Sequence, residues 1–398
     1  MKKIYANLLF LFILVFMLTC CKSNRAKTQE APPEQTLSPN YTKIKPKLST
    51  YNNTLDLDSI INHITYIPLE TNKNCLIGHI HKIHSDSTDI IIHDKRNNKV
   101  LRFNTEGKFL NQIGHLGQGP DEFNEAFNTV IDARKNVVSI MDLKGRKYVF
   151  YAYDGKYLGM QKMEVICLQH EYYNNGMLLD IDRCYNPSYP ELKNCCLILK
   201  EGDNIKKLVS FELQNNSYAG FPVIQKFGSK FYYNIPFQNK ILEINNSKPE
   251  LIYELDLEEF GWTSEDLTTF TNKDIYEKIR SNGFFNGQFV ISDNILYFNM
   301  SYKNLLYHYF YSKTTGKNIS GTAYINSKNK FKEYTFGFPK FLSPDNHKFI
   351  SYFEPGNFIY RKNRIDTSKN ISSKEVKLMK SIKAEDNPVL LVYDLKEF

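Results

Sequence analysis

A sequence unit that recurs about every 47 residues is the strongest constraint on the fold of this chain. Lys99 to Phe109, KVLRFNTEGKF, matches Lys147 to Tyr157, KYVFYAYDGKY, position by position. Each segment has the pattern of a strand, a turn that contains Gly-Lys, and the start of a second strand. Further copies begin at Cys196, Lys240, Leu306 and Val389. Six copies of a strand–turn–strand unit therefore extend over the chain.

Two longer intervals in the sequence carry helical signals. Thr263 to Gly283 contains two capping-box spacings, which predict a short helical insertion. Ser372 to Ala384 places Ser372 at the same spacing from Glu375, which predicts a second insertion. The rest is short strand material broken by Asn, Asp and Gly turns.

Repeats of about 40 to 50 residues with about four strands each are typical of propeller blades. Tyr and Phe, which strands favour, make up 27 and 28 of the 398 residues. The sequence therefore predicts an all-β fold: a six-bladed β-propeller with two short helical insertions over residues 51–398. Ring closure needs a strand from each end of the chain in one blade. We expect Ile64 to Leu69 to lie beside Leu390 to Leu395.

The beginning of the chain has the features of an export signal. A basic start precedes the apolar run Leu8 to Leu18, which is shorter than the roughly 20 residues that span a bilayer. Leu18-Thr19-Cys20-Cys21 then resembles a bacterial lipobox, where cleavage directly precedes the lipidated cysteine. We predict a lipoprotein signal peptide over residues 1–20 and lipidation of Cys21, with Cys20 as the alternative acceptor. An ordinary signal peptide with incidental cysteines is the alternative for the whole segment.

Residues 21–50 have the composition of a linker. They are rich in Pro, Lys and Thr and have almost no apolar side chains to bury, which predicts a flexible tether behind the lipidated N-terminus.

Four segments carry a family resemblance: YIPLET from Tyr66, GHLGQGPDEF from Gly114, FYYNIPFQNKILEI from Phe231, and DNPVL from Asp386. They resemble the six-bladed β-propeller lipoproteins of Bacteroidetes, which are related in fold to NHL-repeat propellers. The second segment is similar to the family's G-x-G-P-x-E-F pattern through Gly117, Gly119, Pro120, Glu122 and Phe123. The resemblance implies the fold and an outer-membrane lipid anchor. It implies no catalytic residues, because the family's activity is generally undefined.

The resemblance also bears on the side of the membrane. Surface lipoproteins of Bacteroidetes often carry an acidic cluster after the lipidated cysteine, whereas this chain has Lys22-Ser23-Asn24-Arg25. This departure favours the periplasmic side.

The glycine-rich loop from Gly114 does not have the pattern of a phosphate-binding loop. Phosphate-binding loops end in Gly-Lys-Ser/Thr and open a helix, whereas this loop ends in Pro-Asp-Glu-Phe before more strands. We predict a structural connection between blades, in which glycines supply positive φ, Pro120 stiffens the turn and Phe123 packs inward.

Histidines in GHIHKIH are the weak metal candidates. Strand alternation puts His79 and His81 on one face and His84 on the other, so three ligands do not converge. A two-histidine site completed by His63 or His93 is the alternative to ordinary satisfied histidines. We predict no cofactor, with a divalent metal in the central channel as the alternative.

Five cysteines belong to the predicted folded part: Cys75, Cys167, Cys184, Cys195 and Cys196. No C-x-x-C spacing occurs, and the adjacent pair should face opposite sides of a strand. We predict buried free thiols, with a single bridge such as Cys167 to Cys184 as the alternative.

The charge pattern argues against nucleic acid as a partner. The formal net charge of +8 comes from 51 basic and 43 acidic residues spread along the chain, without a basic stripe. The remaining partners are the membrane, through the lipid, and an unknown protein or glycan.

Three functions remain open. The first is a non-catalytic binding or scaffold module on a membrane anchor. The second is a metal-dependent hydrolase or lyase acting on a glycan, peptide or lactone, although no G-x-S-x-G or H-E-x-x-H motif occurs. The third is an assembly partner that docks through an apolar patch at Ile275 to Ile279 or Val376 to Ile382.

Overall fold

The computed structural model describes most of the chain. The described ranges are residues 36–46, 54–182, 184–210, 224–235, 239–257, 284–303, 305–326, 328–345, 347–368 and 370–398. Six sheets, each with four antiparallel strands, form a six-bladed β-propeller, and one of them has a fifth strand added. The fold predicted from the repeat is confirmed.

The first half of the fold contains blades one to three. Before the blades lie β1 (Thr36–Ile44), β2 (Thr54–Asp56), α1 (Leu57–Ile60) and β3 (Ile61–Pro68). Blade one contains β4 (Ile80–Ser85), β5 (Asp89–Asp94), β6 (Lys99–Asn104) and β7 (Phe109–Gln112). Blade two contains β8 (Asn128–Asp132), β9 (Val137–Asp142), β10 (Lys147–Ala152) and β11 (Tyr157–Lys162). Blade three contains β12 (Gln169–Tyr173), β13 (Gly176–Asp180), a 3₁₀ turn (Pro190–Leu192), β14 (Cys195–Glu201) and β15 (Asn204–Ser210).

The second half contains blades four to six. Blade four contains β16 (Ile224–Phe227), β17 (Lys230–Ile235), β18 (Lys240–Asn245) and β19 (Lys248–Leu255). Blade five contains β20 (Phe284–Ile291), β21 (Ile295–Tyr302), β22 (Leu305–Ser312) and β23 (Asn318–Gly321). After it come β24 (Ala323–Ile325), which pairs with β2, and α2 (Lys330–Thr335). Blade six contains β25 (Phe341–Leu342), β26 (Phe349–Phe353), α3 (Pro355–Lys362), α4 (Ser373–Ser381) and β27 (Val389–Leu395), and its fourth strand is β3.

The sequence repeat corresponds to the third and fourth strands of each blade. In the sixth copy the third strand is β27, and its partner β3 comes from the other end of the propeller. Ile67 lies opposite Leu390 and Ile64 opposite Tyr393. This pairing confirms the predicted ring closure.

The buried side chain of Asn387 joins the closing blade to blade one. Its Nδ2 donates to the carbonyl oxygens of Glu70 and Cys75, at 2.7 and 2.8 Å. Its Oδ1 accepts from the backbone N–H of Ile77 at 2.8 Å. Because both donors and the acceptor have partners, burial of this amide is compensated. Two segments of the family resemblance, YIPLET and DNPVL, therefore meet at this point.

Strand β1 corrects the predicted extent of the tether. It lies within residues 21–50, yet it pairs in parallel with β19, the last strand of blade four. Thr42 is opposite Tyr253 and Ile44 is opposite Leu255. Ile44 is 2% exposed and joins the core of this blade. The segment has few apolar residues, so its composition does not reveal this strand.

The helices only partly follow the sequence signals. α4 begins with the predicted capping box, in which Ser372 Oγ accepts from Glu375 N and Glu375 accepts from Ser372 N. The predicted insertion at 263–283, with its apolar patch, lies outside the described residues. The patch predicted on α4 is wrong, because Met379 and Ile382 are buried in the core. Within the described ranges, no helix is long and apolar enough to cross a membrane.

The five cysteines of the propeller are free thiols, as the favoured interpretation predicts. Cys195 and Cys196 pack into different core clusters on the two sides of β14. Cys167 is buried, with its Sγ 3.2 Å from Tyr148 Oη, and Cys184 is half-buried.

Candidate functional site

The first strands of the blades form the inner edges of the sheets, opposite the outer edge at which β3 closes the ring. Five of these strands, β4, β8, β12, β16 and β25, contribute to one cavity of about 420 Å³. This cavity is the central channel. A concave cavity with a few convergent polar groups on an apolar wall is the usual form of a ligand site.

A buried ion pair spans the wall of the channel. Lys82 Nζ on β4 lies 3.1 Å from Glu171 Oε1 on β12 and 3.0 Å from the carbonyl oxygen of Thr129 on β8. Glu171 is 5% exposed. One ammonium group thus links three blades. Because the two charges compensate each other, the pair adds no net charge to the channel.

His84 completes this part of the wall as a neutral group. Its Nε2 lies 3.1 Å from both the carbonyl oxygen and the Oγ1 of Thr129. Burial, and secondly the charge of Lys82, holds the pKa of His84 well below its usual range. The neutral ring can donate its Nε2–H to the carbonyl and so fixes the first blade against the second.

Two further lysines give the channel an excess of positive charge. Lys226 on β16 and Lys340 just before β25 line the cavity, and neither forms an ion pair within the described part of the chain. Their ammonium groups lie 5.5 Å from the ring centroid of Phe231 and 4.1 Å from that of Tyr352. These cation–π contacts position the side chains without neutralising them.

The lining holds three lysines and two carboxylates, so one positive charge remains in excess. Glu171 is held by Lys82. Asp86 is engaged by its own turn, where its Oδ1 accepts from the backbone N–H groups of Thr88 and Asp89 at 2.9 and 2.8 Å.

A β-bulge changes the predicted arrangement of the histidines. The pairing of β4 with β5 shifts between Ile80 and Lys82, so simple alternation does not hold through His81. The ring of His81 packs edge-on against His93, with centroids 5.0 Å apart. Burial first, and then neighbouring lysines, lowers the pKa of His81 to about 4.

Of the two predicted additional ligands, the structure brings His93 close to His81, whereas His63 lies on β3 in blade six. Within the described ranges, no three His, Cys, Asp or Glu side chains are arranged to hold a metal ion. Metal binding at His79 and His81 stays the untested alternative to the prediction of no metal.

The glycine-rich loop joins β7 to β8 and is organised by Glu122, whose Oε2 accepts from Gly119 N at 2.8 Å. Phe123 is fully buried. A Cβ at Gly117 would collide with the Glu122 carboxylate, so a larger residue there would displace the group that accepts from Gly119 N. The expected positive φ is wrong for Gly117 and Gly119, and in this loop it occurs at Gly114, with φ of 66°.

The channel residues could not be identified from the sequence. Lys82 and Glu171 are 89 residues apart, and no local motif surrounds Lys226 or Lys340. The usable signal is their place on the first strand of a repeat, which becomes visible once the blade register is known.

Fold and site together define a six-bladed β-propeller whose central channel has a few polar groups on an apolar wall. Residues 42–394 match the family model described as a domain of unknown function, DUF4934, and the chain belongs to this family.

Two solved structures match the chain, and the first of them is similar to it in fold. The first is BF0058 of Bacteroides fragilis NCTC 9343, which is named as an exported protein. It has a TM-score of 0.70 and 18% identity to this chain, and the match covers 90% of this chain and 100% of that one. The second is a member of the duf4221 family from Bacteroides vulgatus, with a TM-score of 0.48 and 7% identity over 84% and 97% of the two chains. No match is found among curated proteins.

Proposed function

We propose that this protein is a cell-envelope binding module whose central channel receives a small anionic ligand, without catalysis. The observation that carries the proposal is the pair of channel lysines, Lys226 and Lys340, neither of which forms an ion pair in the described part of the chain. The charge of Glu354 acts on Lys340 from outside the lining of the cavity. Cavities with low-dielectric walls concentrate the field of such charges and attract ions of opposite sign.

The wall also favours an organic ligand over a simple ion. Phe227, Phe341 and Leu342 line the cavity beside the lysines. An apolar or sugar face could pack on these side chains while a carboxylate or phosphate contacts the ammonium groups. Acidic sugars and organic acids combine both features.

Calorimetric titration of the purified full-length protein with acidic sugars and organic acids tests the proposal. We expect at least one anion to bind, and we expect K226M/K340M to weaken that binding by about tenfold or more, because two charge-assisted contacts are lost. K156M is the matched control, since Lys156 is exposed on a turn of blade two. Anion binding that K226M/K340M leaves unchanged would contradict the proposal.

Elemental analysis of the same protein, purified without chelator, tests the metal-dependent hydrolase or lyase as the alternative. If a stoichiometric divalent ion is present and its removal by EDTA lowers the melting temperature, the metal-dependent hydrolase or lyase is favoured over binding without catalysis. Mutation of its ligands and a turnover assay would then separate a catalytic ion from a structural one.

We further propose that lipid on Cys21 anchors the protein to the outer membrane, on its periplasmic side. The support is in the sequence: an apolar run that ends at Leu18, the lipobox-like Leu18 to Cys21, and the basic rather than acidic segment that follows.

Metabolic labelling with an alkyne fatty acid tests the anchor. We expect C21S to lose the label and C20S, its adjacent matched control, to keep it. The reverse result would assign the lipid to Cys20, and labelling that persists in C20S/C21S would refute lipidation at this pair. Protease treatment of intact cells reports the side of the membrane, because a periplasmic protein is protected.

A further inference from the structure

A second cavity, of about 670 Å³, lies on the outer side of blade six, far along the sheet from the channel strands. One wall is β3, which lines it over nearly its whole length, and the other is α4 with Lys332 of α2. We call this cavity the β3–α4 groove.

The strand wall of the groove is a free sheet edge. β27 pairs with one side of β3, and no strand in the described ranges pairs with the other. An edge strand presents N–H and C=O groups that an added strand can bond. The side chains of Asn62, His63 and Thr65 are exposed on this strand.

The same propeller shows what such an edge accepts. β19 is the fourth strand of blade four, as β3 is of blade six, and it carries β1 as an added parallel strand. An extended segment on the outer edge of a blade is therefore a geometry that this fold accommodates.

The helical wall is basic. Lys332, Lys374 and Lys377 line the groove, and none of them forms an ion pair within the described ranges. The carboxylate of the lining is Glu375, which is 7% exposed and accepts from Ser372 N at 2.8 Å in the capping box. The groove thus presents three lysines and no available negative charge.

We propose that the β3–α4 groove binds an extended acidic peptide segment of a partner protein. The segment adds as a strand to the outer edge of β3, and its carboxylates contact Lys332, Lys374 and Lys377. Backbone hydrogen bonds supply the affinity, and the row of lysines selects acidic sequences. This site is independent of the channel and its ligand.

Fluorescence anisotropy of the purified full-length protein tests the proposal with short labelled peptides. The probe alternates Glu and Val, its counterpart alternates Lys and Val, and a third peptide is the fully N-methylated form of the acidic probe, which cannot donate backbone hydrogen bonds. We expect the acidic probe to bind and the other two to bind at least about tenfold more weakly. We expect K374Q/K377Q to weaken the acidic probe by about tenfold.

K380Q is the matched control, because Lys380 is exposed on the same helix but does not line the groove. It should leave the affinity unchanged. The proposal is overturned if the acidic and basic peptides bind alike, if N-methylation has no effect, or if K380Q weakens the probe as much as K374Q/K377Q. K226M/K340M should bind the acidic probe like the wild type.

Discussion

Buried histidines make individual residues of this fold sensitive to acid. His170 is fully buried, with its Nε2 3.0 Å from Ser139 Oγ. Burial, and secondly the charge of Lys82, lowers the pKa of His170 to about 3. Burial likewise lowers the pKa values of His93 and His308 to about 3. These side chains therefore stay neutral in the folded protein where an unfolded chain would protonate them.

We predict that the free energy of unfolding falls as the pH drops from about 6.5 towards 3, because only the unfolded state takes up protons on these histidines in that range. Each fully shifted histidine contributes a slope of about 1.4 kcal/mol per pH unit. Urea denaturation at several pH values measures the slope. H170Q should reduce it, whereas H115Q, at an exposed position, should not. An identical slope in H170Q and the wild type would contradict the prediction.

At the scale of elements, the sequence predicts features that follow a periodic or spaced pattern, and it misses structural features that occur only once in the chain. The strand–turn–strand units and the capping box of α4 follow from periodic or spaced patterns, and the structure confirms both. The bulge at His81 inserts a single residue into β4, which leaves no mark in the apolar pattern. β1 was missed because pairing with a distant strand, rather than its own composition, makes it a strand.

Ile44 should hold β1 on blade four, since it is the buried one among the side chains described over residues 41–44 of this strand. We predict that I44A lowers the free energy of unfolding by up to about 3 kcal/mol, or detaches β1 and leaves the rest folded. In either case, trypsin should cleave faster after Lys43. Y41A is the control, because Tyr41 is 37% exposed. Unchanged cleavage in I44A would show that β1 is not held by this contact.

At the scale of the whole molecule, ring closure depends on a few contacts between the ends of the propeller. We predict that N387A lowers the free energy of unfolding by about 3 kcal/mol, because it leaves two buried carbonyl oxygens and one buried N–H group without partners. The urea midpoint of the full-length protein measures this loss. N74A, at an exposed position of the same loop, should leave the midpoint nearly unchanged. Equal urea midpoints for N387A and N74A would contradict the role of Asn387 in joining the closing blade to blade one.

The channel forms only when all the blades close into a ring. This is why the sequence predicts the ring of blades and not the residues that line its channel. Lys226 and Lys340 come from blades four and six, and only closure of the ring brings them to one cavity. A sequence alone records neither the distance between two side chains nor their burial. The fold could therefore be derived from the repeat, whereas the two channel lysines could not be identified as neighbours.

The pairing of β3 with β27 also fixes the order of events on the ribosome. β3 is made before the strands of blade one, and its partner β27 is made after those of blade five. Until β27 is made, both β3 and β26 lack the strand that pairs with them. Blade six therefore depends on chaperones that cover free strand edges for longer than the other blades do. A chain released before β27 is made cannot close the ring.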